Sequence, residues 1–266
     1  MPVIGTRGGR AASGLGFNGD GFTPQALALF ARMSPTPSPA RKVLINQTIA
    51  ALIGAGVWTK LDVLQIYAAD AQANALLNWI SSSYNSTAVN SPTFTADRGF
   101  TGDGVSAYLN TGYAASSGPK WGQNDHSFGR WLRTGPGGGG MDLGAYETAT
   151  LKSAYVLSNV GAQYQVSDSG TLQTVNASVI GSVTATRTAS GSFDIYKNGA
   201  FVTNVVAVSR AGSTLSMYVL AYNFDGGAAT FSSNQLGAIY MGAALTAGDT
   251  LALHNALQAY MTGVGA

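Results

Sequence analysis

The chain predicts a mainly β fold, an antiparallel β-sandwich with an extended N-terminal arm and a helix in front of it and a short C-terminal helix behind. Three observations carry this. Apolar residues alternate at period two through much of the chain after residue 60, an Asn-Gly pair (Asn198-Gly199) separates two such runs, and glycine is abundant at 35 of 266 residues.

Composition narrows the function classes. With 45% hydrophobic residues the chain can bury one large core, whereas only 10% are charged, so solubility rests on Ser, Thr, Asn and Gln. Many extracellular and virion β-proteins have this make-up. The formal charge of +2 comes from scattered Lys and Arg that never cluster with aromatics, which argues against nucleic acid as a partner. The absence of cysteine removes disulfides, thiolate zinc sites and cysteine nucleophiles together.

The first residues, Met1-Pro2-Val3-Ile4, lack the apolar core of a secretory signal, and no apolar run reaches membrane-spanning length. The expectation is synthesis in the cytoplasm, without a signal peptide and without membrane insertion. Asn46, Asn85 and Asn176 open glycosylation-type triplets that such a chain would leave unused.

Residues 1–22 form a glycine-rich arm with too little apolar surface to order by itself. It reads either as a frayed terminus or as a peg that orders inside a neighbouring subunit, with Ile4, Arg7, Arg10, Leu15, Phe17 and Phe22 as the anchoring side chains. Residues 23–59 hold a short helix with Leu27, Phe30 and Ala31 as its apolar stripe, then an extended spacer, Ser34-Pro35-Thr36-Pro37-Ser38-Pro39. Ser38 as N-cap and Pro39 at the first position open a second helix, whose stripe of Ile45, Ile49, Leu52 and Ile53 must dock on another surface before Gly54 and Gly56 stop it.

Residues 60–266 are the sandwich. Val63 to Ala68 reads as a strand with Leu64 and Ile66 on one face, followed by a helical turn carrying Leu76, Leu77 and Trp79. Asn198-Gly199 suits the positive φ angles of a type I′ turn and so predicts a hairpin over Phe193 to Val202. Leu215 to Tyr222 is nearly apolar on both faces and reads as a central strand, and Gln235 to Met241 as another. Thr246 and Asp249 have capping-box spacing ahead of a helix with Leu253, Leu257, Tyr260, Met261 and Val264 on one side.

Three pieces in this order resemble the concanavalin A-like, laminin-G type jelly roll: Gly99-Phe100-Thr101-Gly102-Asp103-Gly104 through Tyr108-Leu109, the Arg187 to Val202 hairpin, and Leu236 to Met241 leading through Ala244-Leu245-Thr246 into a helix. The resemblance spans roughly residues 60–266. The whole chain also resembles uncharacterised phage and prophage proteins of α-proteobacteria, including its glycine-rich start and the Asn90-Ser91-Pro92-Thr93-Phe94-Thr95 run. That resemblance implies a non-enzymatic virion component (fibre, spike or tail protein) made in the bacterial cytoplasm and forming a homo-oligomer. It would be held to other virion proteins by the arm, while the sandwich is displayed. The alternative is a receptor-binding, lectin-like module that recognises host surface polysaccharide.

Catalysis finds little footing. A glycosidase needs paired carboxylates across a cleft, and Glu147 is the single glutamate; of the eleven aspartates, Asp20, Asp103, Asp125, Asp225 and Asp249 stand beside Gly or Asn, where turns place them. His126 reads as a loop residue whose neighbour Asp125 points away from it, and His254 as the border of the last helix's packed face. The expectation is no cofactor, with calcium as the alternative through Asp97, Asp103, Asp225 and Asn223. For sugar, the candidate aromatic and hydrogen-bonding residues are Trp121, Asn124, Asp125, Trp131, Asp142, Tyr146, Tyr222 and Asn223, with Trp131 and Tyr222 also readable as core. Gly135-Pro136-Gly137-Gly138-Gly139-Gly140 reads as a surface tip.

Overall fold

A computed structural model describes residues 21–134, 139–159, 163–176 and 178–266. The candidate anchors Ile4, Arg7, Arg10, Leu15 and Phe17, and residues 135–138 of the glycine loop, lie outside the described residues.

The chain opens with helices α1 (Pro24–Phe30) and α2 (Pro39–Gly54), then strand β1 (Leu61–Ile66) and the single turn α3 (Gln72–Ala75). Short strands β2 (Thr87–Val89), β3 (Thr93–Thr95) and β4 (Gly99–Thr101) precede β5 (Tyr108–Ala114) and β6 (His126–Leu132). A meander follows: β7 (Gly140–Glu147), β8 (Lys152–Asn159), β9 (Gln163–Asp168), β10 (Thr171–Asn176). Next come β11 (Gly181–Arg187), β12 (Ser192–Lys197), β13 (Ala200–Val206) and β14 (Ser216–Val219). The small hairpin β15 (Tyr222–Phe224) and β16 (Gly227–Ala229), then β17 (Gln235–Gly242) and helix α4 (Ala247–Gly263) complete it.

Two sheets result. The first runs β13-β12-β11-β6-β17-β4-β3, with β1 also paired to β17; the second runs β10-β9-β8-β7-β14-β5-β2, with β15 added in parallel beside the end of β7. The predicted hairpin is β12–β13, turned by Asn198 and Gly199 at φ +50° and +75°. The predicted central strand is β14, which pairs with β7 and β5. The Gly99–Leu109 piece carries the chain from one sheet to the other: the Asp103 carboxylate accepts the backbone N–H groups of Val105, Ser106 and Ala107 in the connecting turn.

Side-chain alternation divides the first sheet between two cores. Phe128, Leu132, Val63, Ile239 and Met241 face the second sheet, where they meet Leu109, Leu143, Val156, Met217 and Val219. Their neighbours Trp131, Leu64, Ile66, Ala238 and Tyr240 face the opposite way, onto Leu29, Ile45, Ile49, Leu52, Leu253, Leu257 and Tyr260 of α1, α2 and α4. The first sheet is therefore the middle of three layers, which is why β1, β6 and β11 are buried at every position.

The helices follow their capping signals. Ser38 and Thr23 accept the N–H groups of Arg41 and Ala26, and Thr246 and Asp249 complete a reciprocal capping box at the start of α4. Cap position sets phase: with Thr23 as N-cap, α1 buries Ala26 and Leu29, and Ala31 is exposed instead of belonging to the expected stripe. The proline segment is fastened to the body, since Asn74 accepts from Ser34 N at 2.9 Å and donates to Pro35 O at 2.9 Å. Asn46 is buried against α1, its Oδ1 accepting from Thr23 N at 2.8 Å, and is closed to modification.

Candidate functional site

Helices cover the outer face of the first sheet, so the outer face of the second is the broad sheet surface left open among the described residues. Alternation again decides what it displays. Leu143, Ala145, Ala154 and Val156 point inward, leaving Tyr146 and Tyr155 on the outside. The β15 strand adds Tyr222 and Phe224 beside them, while Asn223 between the two is buried. All four rings are half-buried. Their centroids lie 5.7 Å apart for Tyr146–Phe224, 5.5 Å for Tyr222–Phe224 and 6.1 Å for Tyr155–Tyr222. A second group adjoins on β5 and β14, where Tyr108 and Tyr218 lie 4.6 Å apart. Register sets Gly144 between Tyr218 and Tyr155, so β7 puts no side chain between those two rings.

Backbone support is local. Asn223 donates to Ser216 O and accepts from Gly226 N, each at 3.0 Å, and Asp225 accepts from Thr148 N at 2.9 Å, which together fix β15 against β7. The phenols of Tyr155 and Tyr222 stay protonated at neutral pH. Burial raises the pKa of Tyr155 and of Tyr222, and the neighbouring Tyr146 raises each further. Such a surface offers apolar ring faces together with uncharged hydroxyl donors and acceptors.

The eight residues expected to bind sugar are not brought together. Tyr146, Tyr222 and Asn223 share the face just described, with Asn223 in the supporting role. Trp131 belongs to the helix-side core, 5% exposed and stacked on His254 at 5.4 Å. Asp142 is fully buried between the sheets against Arg130. Trp121 lies flat on His126, with centroids 4.2 Å apart and planes at 6°. Asn124 and Asp125 are exposed in the turn closed by Gly122 and Asp125, where Asp125 accepts from Ala244 N at 2.8 Å. Phe22, the described member of the anchor set, packs edge-on against Phe30 at 5.4 Å. Sequence reasoning missed Tyr155 and Phe224; the alternation of Tyr155 with Ala154 and Val156 is the signal that could have found the first.

His126 corrects the expectation of a loop histidine. It opens β6, is 2% exposed, and directs Nε2 to Asp168 Oδ2 at 3.2 Å while Nδ1 lies 2.8 Å from Gly122 O. Arg187 binds the same Asp168 oxygen at 2.6 Å. The partners come from strands forty and sixty residues away, roughly, and no local pattern announces them. His254 borders the packed face of α4, as expected, with Nδ1 2.9 Å from Ser182 Oγ.

The carboxylates considered for other chemistry are engaged in holding turns. Burial pushes Glu147 up, but the N–H of Thr214 and the hydroxyls of Ser213, Thr214 and Thr150 outweigh it and hold the carboxyl at about 2. A general acid of a glycosidase needs the opposite shift. Asp97 binds Arg41 at 2.6 Å, Asp103 caps its turn and Asp225 serves Thr148. Among the described residues no group of three or more His, Asp or Glu side chains is arranged to hold a metal ion. No helix among them is long and apolar enough to cross a membrane.

No protein-family model matches the chain, and no curated protein matches it. Solved structures match by fold. A mutant of Trypanosoma rangeli sialidase displaying trans-sialidase activity superposes with a TM-score of 0.51 at 10% identity, over 82% of this chain and 39% of that one. The binding domain of botulinum neurotoxin serotype D gives 0.51 at 11% identity, over 76% of this chain and 52% of the other. The chain thus spans about two fifths to one half of the structures it resembles. At such identities the likeness concerns architecture, and what this chain shares with these structures is the β-sandwich fold.

Proposed function

We propose that this chain is a lectin-like binding module that recognises polysaccharide through Tyr146, Tyr155, Tyr222 and Phe224 on the outer face of the second sheet. The observation that carries the reading is a contiguous set of half-buried aromatic rings, with uncharged hydroxyls, on the sheet face that no other layer among the described residues covers. Aromatic faces pack against the C–H side of sugar rings while hydroxyls and amides select among them. Two structures of the same fold support a recognition role, one a toxin's binding domain and the other a sialidase.

The test is a polysaccharide array probed with the wild-type chain, Tyr155→Ala and Tyr222→Ala. Each aromatic contact is worth about 0.5–1.5 kcal/mol, so each variant should bind its glycan up to roughly tenfold more weakly while keeping its melting temperature. A blank array, with or without calcium, or variants that bind as well as the wild type, would overturn the reading.

The finer reading, a homo-oligomeric virion component held by residues 1–22, rests on the resemblance and composition of the sequence. Deleting those residues should leave a folded sandwich that no longer joins particles. Undiminished incorporation would sink that part and leave the glycan reading standing.

A further inference from the structure

A cleft of about 290 Å³ opens on the helix side of the molecule, lined by Gln25 of α1, by Arg32 in the turn that follows it, by Trp58, and by Trp79, Ser81 and Ser82 after α3. A second depression of about 280 Å³ shares Ser81 with it and runs on to Tyr84 and Lys120. Neither depression shares a lining residue with the aromatic face of Tyr146, Tyr155, Tyr222 and Phe224.

Two residues that line the cleft carry groups without the partner their chemistry asks for. The Arg32 guanidinium is held by carbonyl oxygens of Ser81 at 2.7 Å and of Trp79 and Ala28 at 3.4 Å. These contacts leave N–H groups on its terminal nitrogens unused, and no carboxylate pairs with it among the described residues. Trp79 is 2% exposed, and its indole Nε1 is buried with no hydrogen-bond partner. A buried, unpaired N–H costs about 1–3 kcal/mol, so native folds rarely keep one without a use.

The walls are preorganised. Asn78, fully buried, accepts from Leu64 N and Ile80 N and donates to Asp62 O and Ser83 O, fixing the loop that carries Ser81 and Ser82. At the far end Lys120 Nζ donates to Leu61 O, again with no carboxylate pairing with it among the described residues. Asp62 also lines the second depression and accepts from Tyr113 OH and Lys120 N on Oδ2, each at 3.0 Å.

We propose that this cleft is a second binding site, which takes the carboxylate of an acidic sugar. Arg32 grips the carboxylate with its free N–H groups, the Trp79 indole N–H donates to a ligand oxygen, and Gln25 and Ser82 address hydroxyls. Charge-assisted, fork-shaped pairing is what a guanidinium does best with a planar carboxylate. The volume suits a single sugar ring. This site stands or fails independently of the aromatic face.

The test is an NMR titration of the full chain with sodium glucuronate, glucose and sodium acetate at constant ionic strength. The indole N–H signal missing from Trp79→Phe should shift saturably with glucuronate, little with acetate and not with glucose. Arg32→Gln should weaken glucuronate roughly ten- to a hundredfold, with Arg32→Lys between it and the wild type. Tyr155→Ala should leave the titration unchanged. No saturable shift, or equal binding of glucose or acetate, would overturn the proposal, as would an Arg32→Gln variant that stays folded and binds normally. Should Arg32→Gln unfold, Trp79→Phe decides: unchanged glucuronate affinity in that variant, followed by backbone amides, counts against the site.

Discussion

Arg130 and Asp142 meet in the gap between the two sheets, Nε to Oδ2 at 2.9 Å, with neither side chain exposed to solvent. Ser158 and Asn234 donate to the same carboxylate, and Arg130 reaches Gly181 O at 2.8 Å and Ser158 Oγ at 3.0 Å, so the pair is well satisfied. A buried pair of this kind is expensive to break from one side because the surviving charge stays in the core. Asp142→Ala should lose about 3–5 kcal/mol in urea unfolding, whereas Arg130→Met with Asp142→Leu should lose less than either single change. A double variant as damaged as the singles would mean that the pair's hydrogen bonds matter more than its charges.

At the other end of the gap Asp168 answers Arg187 and His126. Burial pushes its carboxyl up, but the hydrogen bonds and charges of His126 and Arg187 outweigh this and hold it below the ordinary aspartate value. A carboxyl lowered by folding stabilises the fold above its unfolded pKa, about 3.9, and that contribution is lost as the pH falls through the folded value. Stability should therefore drop on acidification below about pH 4. Asp168→Asn should be less stable at pH 7 and lose less on acidification, as urea midpoints between pH 7 and pH 2 would show.

Gly129 is a packing position in the first sheet. A Cβ there would stand 2.4 Å from both the Tyr240 ring and Val183 O, and Tyr240 is itself held by Thr184 Oγ1 at 2.8 Å. Gly129→Ala should cost about 1–3 kcal/mol by overpacking, measured by calorimetry, and Tyr240→Phe in the same background should not relieve it, since the clash is with the ring.

The capping box of α4 invites a smaller change. Thr246→Ala should cost about 1 kcal/mol and Thr246→Ser much less, read from thermal midpoints. Asp249 also binds Lys60 at 2.5 Å, so Asp249→Asn should weaken both the box and the tie between α4 and the turn before β1.

What was legible in the sequence was whatever is encoded locally. Asn198-Gly199 specifies its own turn, Thr246 and Asp249 their own cap, and Ile45, Ile49 and Leu52 the buried face of α2. The aromatic face was only half legible, because Tyr146 and Tyr222 share it through the parallel placement of β15 beside β7, a long-range pairing. The same limit explains Asp142 and Trp131. Neighbouring loop and strand residues look alike in sequence, whereas the bulge between Met141 and Leu143 and the inward phase of Arg130 decide that Asp142 is buried. His126 looked solitary because its carboxylate comes from β9.

The three-layer build also gives the molecule a front and a back. Gly21, where the described chain begins, leads directly into α1 on the helix layer, and the rings of Tyr146, Tyr155 and Tyr222 lie on the far side of both sheets. Layers spaced about 10 Å apart put some 20 Å of packed protein between the two. A partner docked on the helix layer would hold the molecule by its back and leave the aromatic face turned outward, so both surfaces can be engaged at once.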